Sequence, residues 1–132
     1  MRFFDILFSI LILIIFSPII SLISLLILVF DGKPVIYKQF RIGYLGKRFI
    51  IFKFRTMNNF KFKDEKLRLT FLGKLLRKTS LDELPQFINV LKKDMSIVGP
   101  RPLPETIEKK IKKSIKIKRR KILPGITGMS QI

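Results

Sequence analysis

An apolar segment near the N-terminus restricts the possible folds of this chain more than any other feature. Residues Ile6 to Phe30 are apolar apart from scattered serines, with Pro18 near the middle. A helix of about 20 residues crosses a bilayer, so this segment is long enough to do so. It is too long for the apolar region of a typical signal peptide, and no small-x-small cleavage site follows it. We therefore expect a segment that stays in the membrane.

The pair Ser17-Pro18 divides this segment. A proline inside a helix removes one backbone hydrogen bond and displaces the preceding turn, and a serine hydroxyl can bind a carbonyl left free. The helix either spans the bilayer with a kink or bends here and returns to the same face. Arg2 precedes the segment and the strongly basic stretch Lys33 to Arg48 follows it. Because basic residues favour the cytoplasmic side, a spanning helix would place Arg2 outside, whereas a re-entrant helix keeps both flanks cytoplasmic.

Composition limits the chemistry available to the chain. Its 132 residues include neither cysteine nor histidine, which excludes disulfides, thiolate or imidazole metal sites and Ser-His or Cys-His catalytic pairs. Carboxylates, lysines, arginines, hydroxyls and a hard metal ion held by oxygen remain. With 27 Lys+Arg against 9 Asp+Glu, the formal net charge of +18 predicts an anionic partner. Acidic lipid or a phosphorylated substrate is favoured over nucleic acid, because no nucleic-acid-binding motif is recognisable.

The residues after the apolar segment predict one small α+β domain that is mostly helical. A turn over Asp31 to Pro34 separates a membrane segment, residues 1–32, from this domain, residues 33–132. Val35 to Phe40 and Phe49 to Phe54 are typical of two short strands in a β-hairpin.

Helices and a loop are expected in the rest of the domain. Phe71 to Arg77 predicts a short helix, and Leu103 to Lys118 predicts a basic amphipathic helix suited to an anionic membrane surface. The stretch Asn58 to Lys66 predicts a surface loop in which Phe60 and Phe62 could enter the membrane interface.

Two adjacent acidic residues, Asp82 and Glu83, are the strongest candidates for chemistry. Pro85 is tolerated only in the first turn of a helix, which therefore begins between Thr79 and Asp82. Ser80 and Glu83 have the spacing of a capping box. The positive end of the helix dipole would favour carboxylates there and keep Asp82 ionised. Spacing alone leaves two interpretations open: helix capping, or a carboxylate nucleophile beside a carboxylate that shares a metal ion.

Several blocks of sequence, in a fixed order over nearly the whole chain, resemble the bacterial sugar transferases, the monotopic phosphoglycosyl transferases. The blocks are Pro34–Gly43, Lys53–Met57, Leu67–Thr70, Leu72–Gln86, Asp94–Pro102 and Pro124–Gly128. The chain departs from the family pattern at Lys93, where a glycine is usual, and at Met129-Ser130, where Trp-Ala is typical. Because the family generally continues beyond the position of Ile132, we expect a C-terminally short member.

The resemblance implies a reaction and a location. A nucleotide-sugar, usually a UDP-sugar, gives its phosphosugar to undecaprenyl phosphate with Mg²⁺ as cofactor, which initiates the assembly of lipid-linked polysaccharides. It also implies a re-entrant helix broken at Ser17 and Pro18. The domain would then lie on the cytoplasmic face of the bacterial inner membrane, near anionic lipids. The alternative is an inactive, truncated member that acts only as a basic membrane-anchored binding module.

The resemblance also assigns candidate site residues. Asp82 matches the nucleophile that carries the phosphosugar, and Glu83 matches its partner; both are expected to hold Mg²⁺. Cations would bind the substrate phosphates, and the candidates are Arg101, fixed between two prolines, and then Arg55, Arg77, Lys53 and Arg119.

Overall fold

The structure is a computed structural model that describes residues 2–58 and 64–128. The helices are α1 (Arg2–Ile15), α2 (Ser17–Phe30), α3 (Glu65–Arg68), α4 (Phe71–Thr79), α5 (Gln86–Leu91), α6 (Glu105–Glu108) and α7 (Lys113–Arg120). The strands are β1 (Ile36–Ile42), β2 (Arg48–Phe54), β3 (Ser96–Val98) and β4 (Gly125–Thr127). The predicted α+β, mostly helical class is therefore confirmed. Phe60 and Phe62 of the predicted loop, and Met129-Ser130, lie outside the described residues.

The N-terminal apolar segment forms two helices that meet at a bend of 61°. The hydroxyl of Ser17 donates a hydrogen bond to the carbonyl of Ile14 at 2.8 Å. Ile14 is the residue whose carbonyl would otherwise accept the N–H that Pro18 lacks, so the serine replaces the missing donor. Within residues 2–58 and 64–128, only this bent pair has the length and composition to cross a membrane, and no single helix does. The break lies beside the predicted pair, and its position in a membrane stays a prediction.

The predicted hairpin is confirmed with small shifts at its ends. β1 and β2 pair antiparallel, with Ile36 opposite Phe54 and Ile42 opposite Arg48. A second sheet, in which β3 and β4 pair parallel, was not predicted. It brings Gly99 against Gly125 so closely that a Cβ on Gly125 would lie 2.0 Å from the Gly99 nitrogen. Gly125, the first glycine of the Pro-Gly-Ile-Thr-Gly block, is therefore required by this close approach of two backbone segments.

One apolar core joins the N-terminal helices to the acidic residues. Ile23 and Ile27 of α2 pack with Phe54, Leu76 and Leu84, and all five are buried. Burying each such side chain contributes roughly 1.5–3 kcal/mol. Because Leu84 directly follows Glu83, this core fixes the acidic residues relative to α2, β2 and α4.

The single helix predicted over Leu103 to Lys118 is wrong. The chain instead forms α6 and α7, and Lys112 between them has an extended backbone with φ −54° and ψ 138°. Arg120 reaches back to Glu108, with Nε and Oε1 2.8 Å apart. Residues this far apart in a straight helix are separated by about 18 Å, so the ion pair requires the break. Repulsion between lysines at i,i+4 also disfavours the continuous helix.

Candidate functional site

The acidic residues lie in a tight 3₁₀ turn, Leu81–Glu83, between α4 and α5. Ser80 has left-handed backbone angles, φ 57° and ψ 16°, which end α4. Its side chain makes no capping hydrogen bond, so the predicted capping box is wrong. The carboxylate of Glu83 binds a lysine side chain instead of a backbone N–H. Lys53, on β2, thus takes the place of the backbone partner that a capping box would give Glu83.

A cleft of about 800 Å³ opens above this turn. Asp82 and Glu83 are the acidic residues that line it within the part of the chain that the structure describes. The other charged residues around it are six cations: Arg41, Lys53, Arg55, Arg68, Arg77 and Arg101. A cleft with this balance attracts a multiply charged anion such as a diphosphate.

Asp82 is almost buried, with 9% of its surface exposed. Burial raises the pKa of this carboxyl above its ordinary value, and the neighbouring Glu83 adds to the rise. Lys53 and Arg77 act in the opposite direction and lower the pKa. A backbone hydrogen bond to Asp82 also lowers the pKa, by less than either cation. The net shift is nevertheless upward, whereas the prediction of a helix terminus that keeps Asp82 ionised implies a downward shift.

Three of the predicted phosphate-binding residues surround the acidic pair. The ammonium of Lys53 lies 2.8 Å from Oε1 of Glu83, and a guanidinium nitrogen of Arg101 lies 3.9 Å from the same oxygen. Arg77 donates from Nε to the hydroxyl of Thr56 at 3.0 Å. The structure therefore brings Lys53, Arg77 and Arg101 together with the two carboxylates.

Arg55 and Arg119 are placed differently from the other predicted cations. Arg55 lines the cleft but is only 6% exposed, and its terminal nitrogens donate to the carbonyls of Asp31 and Lys33. It thereby ties β2 to the turn that follows α2. Arg119 does not line the cleft, and it donates to the carbonyl of Arg101 at 2.5 Å. Both guanidiniums hold backbone segments next to the site, and phosphate binding by either stays a prediction.

Arg41 and Arg68 line the cleft but were missing from the predicted site. The Nε atom of each is buried without a hydrogen-bond partner in the described structure. Strand periodicity could have identified Arg41, because Arg41, Gln39 and Tyr37 alternate along one face of β1. Tyr37 lies directly opposite Lys53 on β2. Arg41 therefore lies on the same face of the hairpin as Lys53, which was a predicted site residue.

The acidic pair fits a magnesium ion that the substrate would help to bind. No group of three or more His, Cys, Asp or Glu side chains suited to a metal occurs in the described ranges. Mg²⁺ commonly takes one or two carboxylates and completes its coordination with phosphate oxygens and water. Asp82 and Glu83 match that ligand set, whereas they could not form an all-protein metal cage.

Comparison with known proteins gives one consistent result. A family described as "Bacterial sugar transferase" matches residues 1–132. The UDP-glucose:undecaprenyl-phosphate glucose-1-phosphate transferase of Klebsiella pneumoniae is 43% identical over 140 residues, which cover 99% of this chain and 30% of that protein. The N-acetylgalactosaminephosphotransferase of Aeromonas hydrophila, which is named for UDP-N-acetylgalactosamine and undecaprenyl phosphate, is 38% identical over 99% of this chain and 33% of its own length.

A shorter relative is also named as a sugar transferase. The uncharacterized sugar transferase EpsL of Bacillus subtilis is 46% identical over 111 residues, which cover 76% of this chain and 52% of EpsL. The chain thus spans between about a third and a half of the length of these curated relatives.

Proposed function

Because this chain belongs to the bacterial sugar transferase family, we propose that it transfers a sugar phosphate from a UDP-sugar to undecaprenyl phosphate. The observation that carries the proposal is the position of Asp82, a nearly buried carboxylate beside Glu83 in a cleft whose other charged lining residues are all cations in the described structure. The relatives from Klebsiella and Aeromonas are named for such transfers, which supports this substrate class. The product would initiate the assembly of a lipid-linked polysaccharide.

The proposed chemistry has two displacement steps at one phosphorus atom. In the first, a carboxylate oxygen of Asp82 attacks the phosphorus next to the sugar, and the bond to the bridging oxygen breaks. The electron pair of that bond leaves with UMP, and the phosphosugar is bound to Asp82. In the second step, a phosphate oxygen of undecaprenyl phosphate attacks the same phosphorus. The bond to Asp82 then breaks, which regenerates the carboxylate and forms the diphosphate-linked sugar.

The side chains around Asp82 fit this chemistry. Lys53 and Arg77 lower the pKa of Asp82 against the effect of burial, and they thereby favour the ionised form that attacks. Asp82 and Glu83 would hold Mg²⁺, which when bound supplies positive charge against the repulsion between carboxylate and phosphate. Arg101 is half exposed at the same cleft and can pair with a phosphate through two parallel hydrogen bonds.

The contact between α1 and the domain favours the re-entrant arrangement. Asp5, in the first turn of α1, accepts a hydrogen bond from the hydroxyl of Ser96 at 2.6 Å. The N-terminus therefore lies beside β3, whereas a single spanning helix would carry it to the opposite face of the bilayer. The exposed aromatic residues of the helix pair, among them Phe3, Phe4 and Phe30, would enter the membrane. We place the domain on the cytoplasmic face of the inner membrane, where its basic residues meet anionic lipids.

Release of UMP tests the proposal. The chain would be held in nanodiscs with undecaprenyl phosphate, Mg²⁺ and a panel of UDP-sugars. Asp82→Asn should lower the rate by about 10³-fold or more, because the amide cannot form the phosphosugar bond. Asp64→Asn is the matched control: Asp64 is exposed and caps α3, and asparagine caps equally well.

Two results would contradict the proposed function. UMP release by Asp82→Asn at the control rate would contradict a nucleophilic Asp82. Absence of release from both the unaltered chain and the control across the panel would contradict the transfer itself. Binding to anionic vesicles should be unchanged in both variants, which separates catalysis from membrane attachment.

A further inference from the structure

We propose that Arg41 and Arg101 form a phosphate-binding subsite beside the acidic pair, and that Arg41 is a substrate-binding residue. The inference rests on the proposed transfer and adds a residue to it. Both guanidiniums line the cleft that contains Asp82. They also line, together with Lys53 and Glu83, a smaller cavity at its edge that reaches Gly125 and Ile126.

The charges around this smaller cavity do not balance. Arg41, Lys53 and Arg101 surround Glu83, the one carboxylate that lines it in the described structure. Glu83 is already paired with Lys53 at 2.8 Å, and Arg101 lies farther away, at 3.9 Å. Three cations and one carboxylate leave two positive charges in excess. A phosphate monoester or the terminal phosphate of a nucleoside diphosphate carries the complementary charge. It would bind in the 800 Å³ cleft that the same cations line, because the smaller cavity, about 10 Å³, holds no more than a water molecule.

Arg41 itself lacks an acidic partner among the side chains that the structure describes. Its terminal nitrogens donate to the side-chain oxygen of Gln39 at 2.6 Å and to the carbonyl of Pro102 at 3.2 Å. Its Nε is buried without a partner. Burial lowers the pKa of the Arg41 guanidinium, and the positive charge of Arg101 lowers it further. A half-buried pair of guanidiniums gains stability when an anion binds between them.

The backbone around the pair is fixed before any ligand binds. The N–H of Ile42 donates to the carbonyl of Leu103 at 3.1 Å, which joins β1 to the segment that follows Arg101. Arg119 donates to the carbonyl of Arg101, and prolines flank Arg101 on both sides. Arg41 and Arg119 therefore hold the same segment from two directions. Such preorganisation lowers the entropic cost of binding a phosphate.

The geometry of displacement gives this subsite a use in both steps. Attacking and leaving oxygens lie roughly in line at a phosphorus atom. The leaving nucleotide phosphate in the first step and the incoming lipid phosphate in the second step therefore occupy the same side, opposite Asp82. One cationic subsite can bind both, since their shared chemistry is a phosphate group.

Ligand affinity tests the subsite without requiring turnover. Dissociation constants would be measured for inorganic pyrophosphate, UDP and farnesyl phosphate, using detergent-held chain. Arg41→Gln should weaken the binding of all three ligands by about tenfold or more, because it removes a charged donor to a phosphate. Arg41→Lys should weaken them less, since it keeps the charge and loses the fork. Lys38→Gln is the matched control, because Lys38 lies on the opposite face of β1 over the ring of Phe52.

These measurements distinguish phosphate binding by Arg41 from a purely structural role of Arg41. They also distinguish the subsite from the proposed transfer reaction. Unchanged pyrophosphate affinity in Arg41→Gln, or equal weakening in Lys38→Gln, would overturn the proposal. The same holds if the unaltered chain does not bind pyrophosphate. If Arg41→Gln lowers the unfolding temperature, Arg101→Gln and the double variant provide a second test. The loss of pyrophosphate affinity in the double variant should be smaller than the sum of the two single losses, because both guanidiniums bind the same phosphate. Loss of affinity in a chain that releases no UMP would support the subsite and contradict the transfer.

Discussion

At the scale of single residues, Asp82 shows what sequence spacing can and cannot establish. The resemblance identified it, and the structure places it among cations at a cleft. The sequence could not reveal that burial, contributed by residues far apart in the chain, dominates its electrostatics. Arg119 illustrates the same limit, because its guanidinium donates to the backbone carbonyl of Arg101 and does not itself line the cleft. The direction in which a side chain points depends on tertiary packing, and the spacing of residues along the sequence does not determine it.

The raised pKa of Asp82 predicts the pH dependence of UMP release. In the proposed reaction only the ionised carboxylate attacks, so the rate should fall as pH decreases through this raised pKa. The acid limb of the profile should therefore lie above the ordinary range of aspartate, about pH 4. Lys53→Met removes the strongest opposing charge, so the limb should move to higher pH. The measurement is kcat/KM for UMP release against pH.

The control for this prediction is Lys38→Gln, which removes one lysine charge away from the cleft. Its acid limb should match that of the unaltered chain. A limb that does not move in Lys53→Met would show that Lys53 has no influence on the ionisation of the Asp82 carboxyl.

At the scale of elements, the sequence predicted what depends on local periodicity. The hairpin and α4 were found because alternation in strands and helical spacing are set by neighbouring residues. The helix over Leu103 to Lys118 was wrong because the pair between Glu108 and Arg120 draws its two halves together. The parallel pairing of β3 with β4 was missed because each strand is only three residues long. Short strands give too little periodic pattern to identify.

Two adjacent leucines of α4 test how this element is held. Leu76 is 2% exposed in the core, and Leu75 is 52% exposed. Leu76→Ala should lower the free energy of unfolding by about 2–5 kcal/mol, because it leaves a cavity beside Phe54 and Leu84. Leu75→Ala should cost less than about 1 kcal/mol. Denaturant unfolding in detergent measures both, and equal losses would contradict the described orientation of α4.

At the scale of the whole molecule, the N-terminal helices and the acidic pair form one structure. α2 shares its core with Leu84, next to Glu83, and α1 contacts α5 and β3. The sequence predicted the break at Ser17-Pro18, but charge alone left both topologies open. The contact that favours the proposed re-entrant arrangement joins Asp5 to Ser96, which are 91 residues apart. No local pattern could have predicted a hydrogen bond over that separation.

This contact predicts where Arg2 lies in the cell. Since the start of α1 lies beside the domain, Arg2 and the domain should share the cytoplasmic side. The chain contains no cysteine, so Arg2→Cys and Lys38→Cys each introduce a single thiol. A membrane-impermeant thiol reagent should label neither in intact cells and both after permeabilisation, because both positions are exposed. Labelling of Arg2→Cys in intact cells, with Lys38→Cys still protected, would require a spanning helix and would contradict the contact between Asp5 and Ser96.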